Sequence, residues 1–152
     1  MAYCLDTSTL VGAWVRSYPP DVFPGLWAKL EEMADGGDVI SPEEVLNELE
    51  AKADDLYSWA KERSTMFVPL DGEQMQATNK VLAAFPRLVG ELAERNRADP
   101  FVIALARVRS VTVVTEERGG TEKRPRIPLV CSHFGVPCIG TLEFIRANGL
   151  SF

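Results

Sequence analysis

The chain has 152 residues, of which 46% are apolar and 25% charged, proportions that fit one globular domain and argue against a collagen, a disordered tail and a two-domain protein. Its 22 acidic residues outnumber 16 basic ones, and the formal charge of −6 excludes a protein that coats nucleic acid through bulk positive charge. Any contact with nucleic acid has to be local.

Short apolar runs alternate with longer helical patterns and no low-complexity linker divides them, which predicts a single α/β domain over residues 1–152. Tyr3 to Leu5 is strand-like and feeds a helical pattern through Leu10, Trp14 and Val15 that stops at Pro19 and Pro20. A second helix is expected from Asp21 to Ala34. Gly36 and Gly37 turn the chain into a short strand, Asp38 to Ile40. Ser41-Pro42-Glu43-Glu44 then combines an N-cap serine, a first-turn proline and a capping-box glutamate, the best-marked helix start in the chain. That helix carries Val45, Leu49, Leu56 and Ala60 on one stripe.

Met66 to Leu70 reads as a further strand, and Asp71 as a cap with Gln74 three residues on. Met75, Thr78, Val81 and Leu82 form the stripe of the helix that follows, ending before Pro86, and a short helix is expected to continue to Arg95. Asp99-Pro100 opens another helix with the aspartate as its cap. Val111 to Thr115 is a β-branched strand and Arg118 to Arg126 a basic, glycine-containing loop. Ile127 to Phe134 is a helix closed by Gly135, Val136 to Ile139 the last strand, and Thr141 to Asn148 a final helix ended by Gly149.

Three cysteines, Cys4, Cys131 and Cys138, lack C-x-x-C spacing, and the one histidine, His133, completes no zinc site with them at the usual ligand spacings. A reducing, cytoplasmic compartment is the simpler expectation. The opening segment MAYCLDTSTLVGAWV has neither a basic leader nor a small-residue cleavage site, and no uncharged apolar run approaches the roughly 18 residues of a membrane span, so neither secretion nor membrane insertion is expected.

In parallel sheets ligands bind at the carboxyl ends of the strands, and several acids fall there. Asp6 directly follows the first strand, Glu116 and Glu117 follow Val111 to Thr115, Asp99 opens the helix leading to that strand, and Glu48 lies two turns into the helix after the second. Carboxylates gathered in one cleft repel one another unless some protonate or a cation neutralises them. Magnesium or manganese is the natural cation, because hard ions take carboxylate oxygen and water and can activate water for attack on a phosphodiester. The residues alone leave plainer readings open: Asp6 and Asp99 as helix caps, Glu48 and Glu117 as solvated surface. A haloacid-type phosphatase needs a second aspartate two residues after Asp6, where Ser8 stands, and a receiver domain needs a phosphoacceptor and a lysine that the pattern does not supply.

DTSTL at the start, VLNEL around Glu48, ADPFVIALA around Asp99 and VVTEE around Thr115 stand in the order and approximate spacing of the PIN-domain nucleases, which the chain resembles throughout. The segment RIPLVCSHFGVPCIGTLEFI is similar to a PIN-like bacterial family once catalogued only as a domain of unknown function, whose members resemble the toxin half of toxin–antitoxin pairs. The resemblance implies a PIN-like three-layer α/β/α sandwich with a central parallel sheet and a magnesium- or manganese-dependent endoribonuclease. It assigns Asp6, Glu48 and Asp99 as catalytic metal ligands, with Glu117 as the fourth by register where such families usually place aspartate. Glu116 is the alternative fourth acid or an assistant to it. Ser8 and Thr115 are expected to orient the carboxylates through their hydroxyls, or else to make ordinary helix and strand hydrogen bonds.

Arg95 and Arg97 before Asp99, and Arg118, Lys123, Arg124 and Arg126 beyond Glu117, are candidates to grip RNA phosphates, or form solvated surface. His133 reads as a surface or packing residue. Trp14, Trp27 and Trp59 read as core or interface, and the region of Trp14, Val15, Val22, Phe23 and Trp27 as core or a homodimer face. The expected partners are therefore an RNA substrate, an antitoxin protein and a second copy, with no membrane. The competing reading is a catalytically weak PIN-like scaffold that binds RNA or protein.

Overall fold

The β-branched and aromatic runs of the sequence become short strands, and the computed structural model that carries them describes residues 1–52, 54–89 and 98–151, with side chains for all of these except residues 54 and 89. The strands are Tyr3–Leu5 (β1), Val39–Pro42 (β2), Phe67–Val68 (β3), Thr112–Val114 (β4) and Cys138–Ile139 (β5). They pair in the order β3-β2-β1-β4-β5, and every pair is parallel. The helices are Thr7–Gly12 (α1), extended by a π-helical turn at Ala13–Ser17, then Pro24–Asp35 (α2), Glu43–Lys52 (α3), Asp54–Lys61 (α4), Gly72–Ala84 (α5), Asp99–Arg109 (α6), Ile127–Phe134 (α7) and Thr141–Ala147 (α8).

Helices cover both faces of the sheet, giving the three-layer α/β/α sandwich with a central parallel sheet. Alternation along β1 sends its side chains to opposite faces. Cys4 reaches the Val102 carbonyl of α6, with Sγ 3.7 Å from the oxygen, while Tyr3 packs edge-on against Phe144 of α8 at 4.8 Å between ring centres. Helix α6 is the central buried element: Val102, Ile103, Ala104, Leu105 and Ala106 are all buried because the sheet lies on one side and α5 and α7 on others. The stripe Val45, Leu49, Leu56 and Ala60 faces inward as its spacing predicts.

The chain turns to opposite sides after β1 and after β4, so the two strands' carboxyl ends flank a crevice of the kind that holds ligands in open α/β sheets. Register makes that edge level. Leu5 pairs with Val114 and Val114 with Ile139, so Asp6, Thr115 and Gly140 all emerge at the same height.

Several local expectations are corrected. Ser41 and Pro42 belong to β2 rather than to a helix cap; the Ser41 hydroxyl donates to the Leu5 carbonyl at 2.7 Å, and sheet pairing with Phe67 and Val68 wins over the capping pattern. The second helix begins at Pro24, not Asp21, because Asp21, Val22 and Phe23 form a turn folded back on the Pro19 carbonyl. In α5 the buried stripe is Gln74, Ala77, Thr78 and Val81, while Met75 is 42% exposed; the Gln74 amide makes this possible by donating to the Pro69 carbonyl at 3.0 Å. Asp71 does cap that helix, accepting from the Gln74 backbone N–H at 2.8 Å.

Trp27 is buried, with its ring centre 4.7 Å from Trp14 and 5.1 Å from Trp59, whereas Val15 and Val22 are exposed, so the aromatic part of that region is core and the two valines are surface. His133 is exposed and packs edge-on against Phe85 and Phe134. No helix among the described residues is long and apolar enough to cross a membrane.

Candidate metal centre

Asp6 leaves β1 at the crevice in extended geometry and caps α1, with one carboxylate oxygen accepting from the Thr9 amide at 2.8 Å. Its other oxygen accepts from the Thr115 hydroxyl at 2.6 Å, and the Ser8 hydroxyl lies 2.9 and 2.8 Å from the two oxygens. The cap and the cluster are therefore served by the same carboxylate. It is 1% exposed, and burial pushes its pKa from the ordinary 3.8 up to about 6, against the opposing pull of the hydrogen bonds from Thr115, Thr9 and Ser8.

Asp99 occupies the first position of α6 rather than the cap, which falls on Ala98. The helix starts one residue early, so the Asp99 side chain lies too far along the first turn to reach its free amides and turns to the crevice instead. There it is 5% exposed, and Oδ2 has no hydrogen-bond partner. Burial first, then the neighbouring Glu117, Asp6 and Glu48 carboxylates, raise its pKa well above the usual aspartate range.

Glu117 reaches the same point from the segment after β4. Its amide donates to the Thr115 hydroxyl at 3.0 Å and one of its carboxylate oxygens accepts from the Ile127 amide at the start of α7 at 3.3 Å. Thr115 thus bridges two acids, donating to one and accepting from the backbone of the other. Oxygen atoms of Asp6, Asp99 and Glu117 all lie within 4.8 Å of one another, and these three residues are the group among the described residues with that geometry.

The other acids divide. Glu48 stands beside the three rather than among them: it accepts from the Thr7 hydroxyl at 2.7 Å and sits 4.0 Å from the Lys52 ammonium. Glu116 is exposed and turns away over α1, where a side chain at Gly12 would meet it and Arg16; its amide donates to the Ser8 hydroxyl at 3.1 Å. Glu117, not Glu116, is the acid that joins Asp6 and Asp99.

Arg118, Lys123, Arg124 and Arg126 are exposed on the loop leaving Glu117. Arg95 and Arg97 lie outside the described residues. Sequence reasoning passed over Thr7, which holds Glu48, and over Thr141 and Glu143, which follow β5 at the same sheet edge. The signal was present: a strand followed within two residues by a polar side chain at 139–141, as at 5–6 and 114–115.

An all-oxygen, all-carboxylate donor set suits a hard divalent cation. The buried, unpartnered Asp99 oxygen is the sharper sign of fit, because a burial cost left uncompensated by hydrogen bonding is what a bound cation would relieve.

No protein of curated function matches the sequence. A family model described as a domain of unknown function, DUF4411, matches residues 3–152. With nearly the whole chain inside that match, including the acids at 6, 48, 99 and 117, the protein is a member of the DUF4411 family.

Proposed function

We propose that this protein is a magnesium- or manganese-dependent endoribonuclease, with Asp6, Asp99 and Glu117 holding the cation and Glu48 beside them. The observation that carries the reading is the Asp99 carboxylate, buried, without a hydrogen-bond partner on Oδ2 and facing two further acids. When bound, the cation supplies a Lewis acid that acidifies water and offsets the charge of the phosphodiester.

The chain's own residues do the remaining work. Ser8 and Thr115 fix the Asp6 carboxylate, and Thr115 also anchors the Glu117 backbone, so two acids are aimed by one hydroxyl. Glu48, tied to Thr7, adds charge at the rim and can hold a water by its free lone pairs. The exposed basic loop beyond Glu117 offsets the negative charge of the chain where a phosphate backbone would approach.

RNA as substrate, and a role as the toxin of a toxin–antitoxin pair restrained by a protein that covers the acidic crevice, rest on the resemblance to PIN-domain nucleases. A cytoplasmic setting belongs to the same reading and agrees with three free thiols. The competing scaffold reading starts from glutamate at 117; the convergence of its oxygen with those of Asp6 and Asp99 weighs against it.

Manganese titration and RNA cleavage by wild type, Asp6→Asn and Asp99→Asn test the proposal together. Wild type is expected to bind manganese and cut RNA, and both variants to lose cleavage while keeping the fold. A wild type that binds no manganese would favour the scaffold, and undiminished cleavage by pure Asp99→Asn would end the assignment.

A further inference from the structure

Beside the three acids, at the carboxyl ends of β4 and β5, lies a cavity of about 550 Å³. It shares Thr115 and Glu117 with the acid cluster, so a phosphate placed at the cluster leaves the adjoining sugar and base next to the cavity mouth. Its volume is that of a small-molecule site. Thr141 lines it, is 7% exposed and carries a hydroxyl oxygen with no partner. A buried hydroxyl left unpaired is costly, and a ligand atom would satisfy it.

We propose that this cavity is a base pocket, which receives the nucleobase bonded through its sugar to the scissile phosphate and selects bases with amino donors over uracil. The proposal rests on the endoribonuclease reading for its substrate. Three features of the wall carry it. Tyr18 and Leu142 offer apolar surface for a flat ring, Leu142 being 50% exposed. Thr141 offers the unpaired hydroxyl to a ring nitrogen or carbonyl. Glu143, exposed and without an ion pair among the described residues, offers a carboxylate that only accepts hydrogen bonds.

Charge decides the class of occupant. With Glu117 committed to the cation, Glu116 and Glu143 still outnumber Arg118 among the charged residues of the cavity wall, so a second phosphate is disfavoured there and a neutral ring is admitted. Adenine, cytosine and guanine bring amino N–H groups to a carboxylate, whereas uracil brings two carbonyl oxygens on either side of one N–H.

The test compares manganese-dependent cleavage of short oligo(A), oligo(C) and oligo(U) RNAs by wild type, Glu143→Gln and Thr141→Val. Wild type is expected to cut oligo(A) and oligo(C) about tenfold faster than oligo(U), the size of one base-edge discrimination. Glu143→Gln, whose amide can donate to uracil, should shrink that ratio to about threefold or less. Thr141→Val, nearly isosteric, should raise KM for the amino-bearing substrates. An active wild type without the preference, or a Glu143→Gln protein with the wild-type ratio, overturns the pocket and leaves the nuclease reading standing. If manganese-loaded wild type cuts none of the RNAs, the nuclease reading fails, and binding of adenosine, cytidine and uridine by NMR saturation transfer judges the pocket. Binding of the first two that is lost in Thr141→Val supports it, and equal or absent binding of all three overturns it.

Discussion

At the scale of single residues, the centre depends on how Asp6 divides its lone pairs. The Thr9 amide takes one oxygen for the helix cap, the Thr115 hydroxyl takes the other and the Ser8 hydroxyl lies against both, while a carboxylate oxygen of Asp6 stays within 4.8 Å of those of Asp99 and Glu117. Thr115→Val removes the 2.6 Å bond and the acceptor for the Glu117 amide together, so manganese affinity should fall by about 10–100-fold with the fold retained. Isothermal titration checks this, and an unchanged affinity would remove Thr115 from the centre. Asp99 has the opposite character, since nothing donates to its buried Oδ2. Asp99→Asn should therefore raise the melting temperature of the cation-free protein at neutral pH, by about 2–4 °C for each kcal/mol of repulsion relieved. A scan in chelator measures it. Asp6 and Glu117 were legible from their places just after strands. The environment of Asp99 was not, because Asp-Pro fits a helix beginning at either residue and a one-residue shift moves the carboxylate from the cap to the crevice.

At the scale of elements, strong local grammar was right where no tertiary partner competed for it. Asp71 caps α5, and Gly135 closes α7 at φ 68°, a conformation an L side chain adopts only with strain. Gly135→Ala should cost about 1 kcal/mol, read as a lowered denaturation midpoint at constant slope. The same grammar failed at Ser41-Pro42, where the neighbouring β3 and the Leu5 carbonyl claim the residues first. In α5 the buried Gln74 was invisible because its polarity is neutralised by a carbonyl that the sequence does not place beside it. The 118–126 loop carries its own expectation. Neutralising Lys123, Arg124 and Arg126, all exposed, should weaken RNA binding and flatten its salt dependence while leaving manganese affinity unchanged. Identical affinities and slopes at two salt concentrations would take the loop out of the substrate path.

At the scale of the whole molecule, the buried acids set the pH dependence of stability. Asp6 has an ordinary pKa of 3.8 and a folded value of about 6, so between those values the folded protein keeps a proton that the unfolded chain has released. Stability of the cation-free protein therefore falls as pH rises through that window, and the raised Asp99 acts in the same direction. Melting temperatures in chelator should be lower at pH 7.5 than at pH 5, and saturating manganese should reverse most of the loss at pH 7.5. The α/β/α layering was readable because the apolar runs alternate with helical stripes of the right length. The sheet order was not, because no local pattern says that β4 inserts beside β1.

That insertion fixes when the centre can first exist. Asp6, Asp99 and Glu117 follow one another at wide intervals in the sequence, and the bond from Thr115 to Asp6 spans 109 positions. A growing chain on the ribosome that has delivered Asp6 and Asp99 but not β4 has neither the third acid nor the hydroxyl that aims the first. The proposed cation site can consequently form only after β4 and the segment beyond it have been made, so synthesis itself delays its assembly.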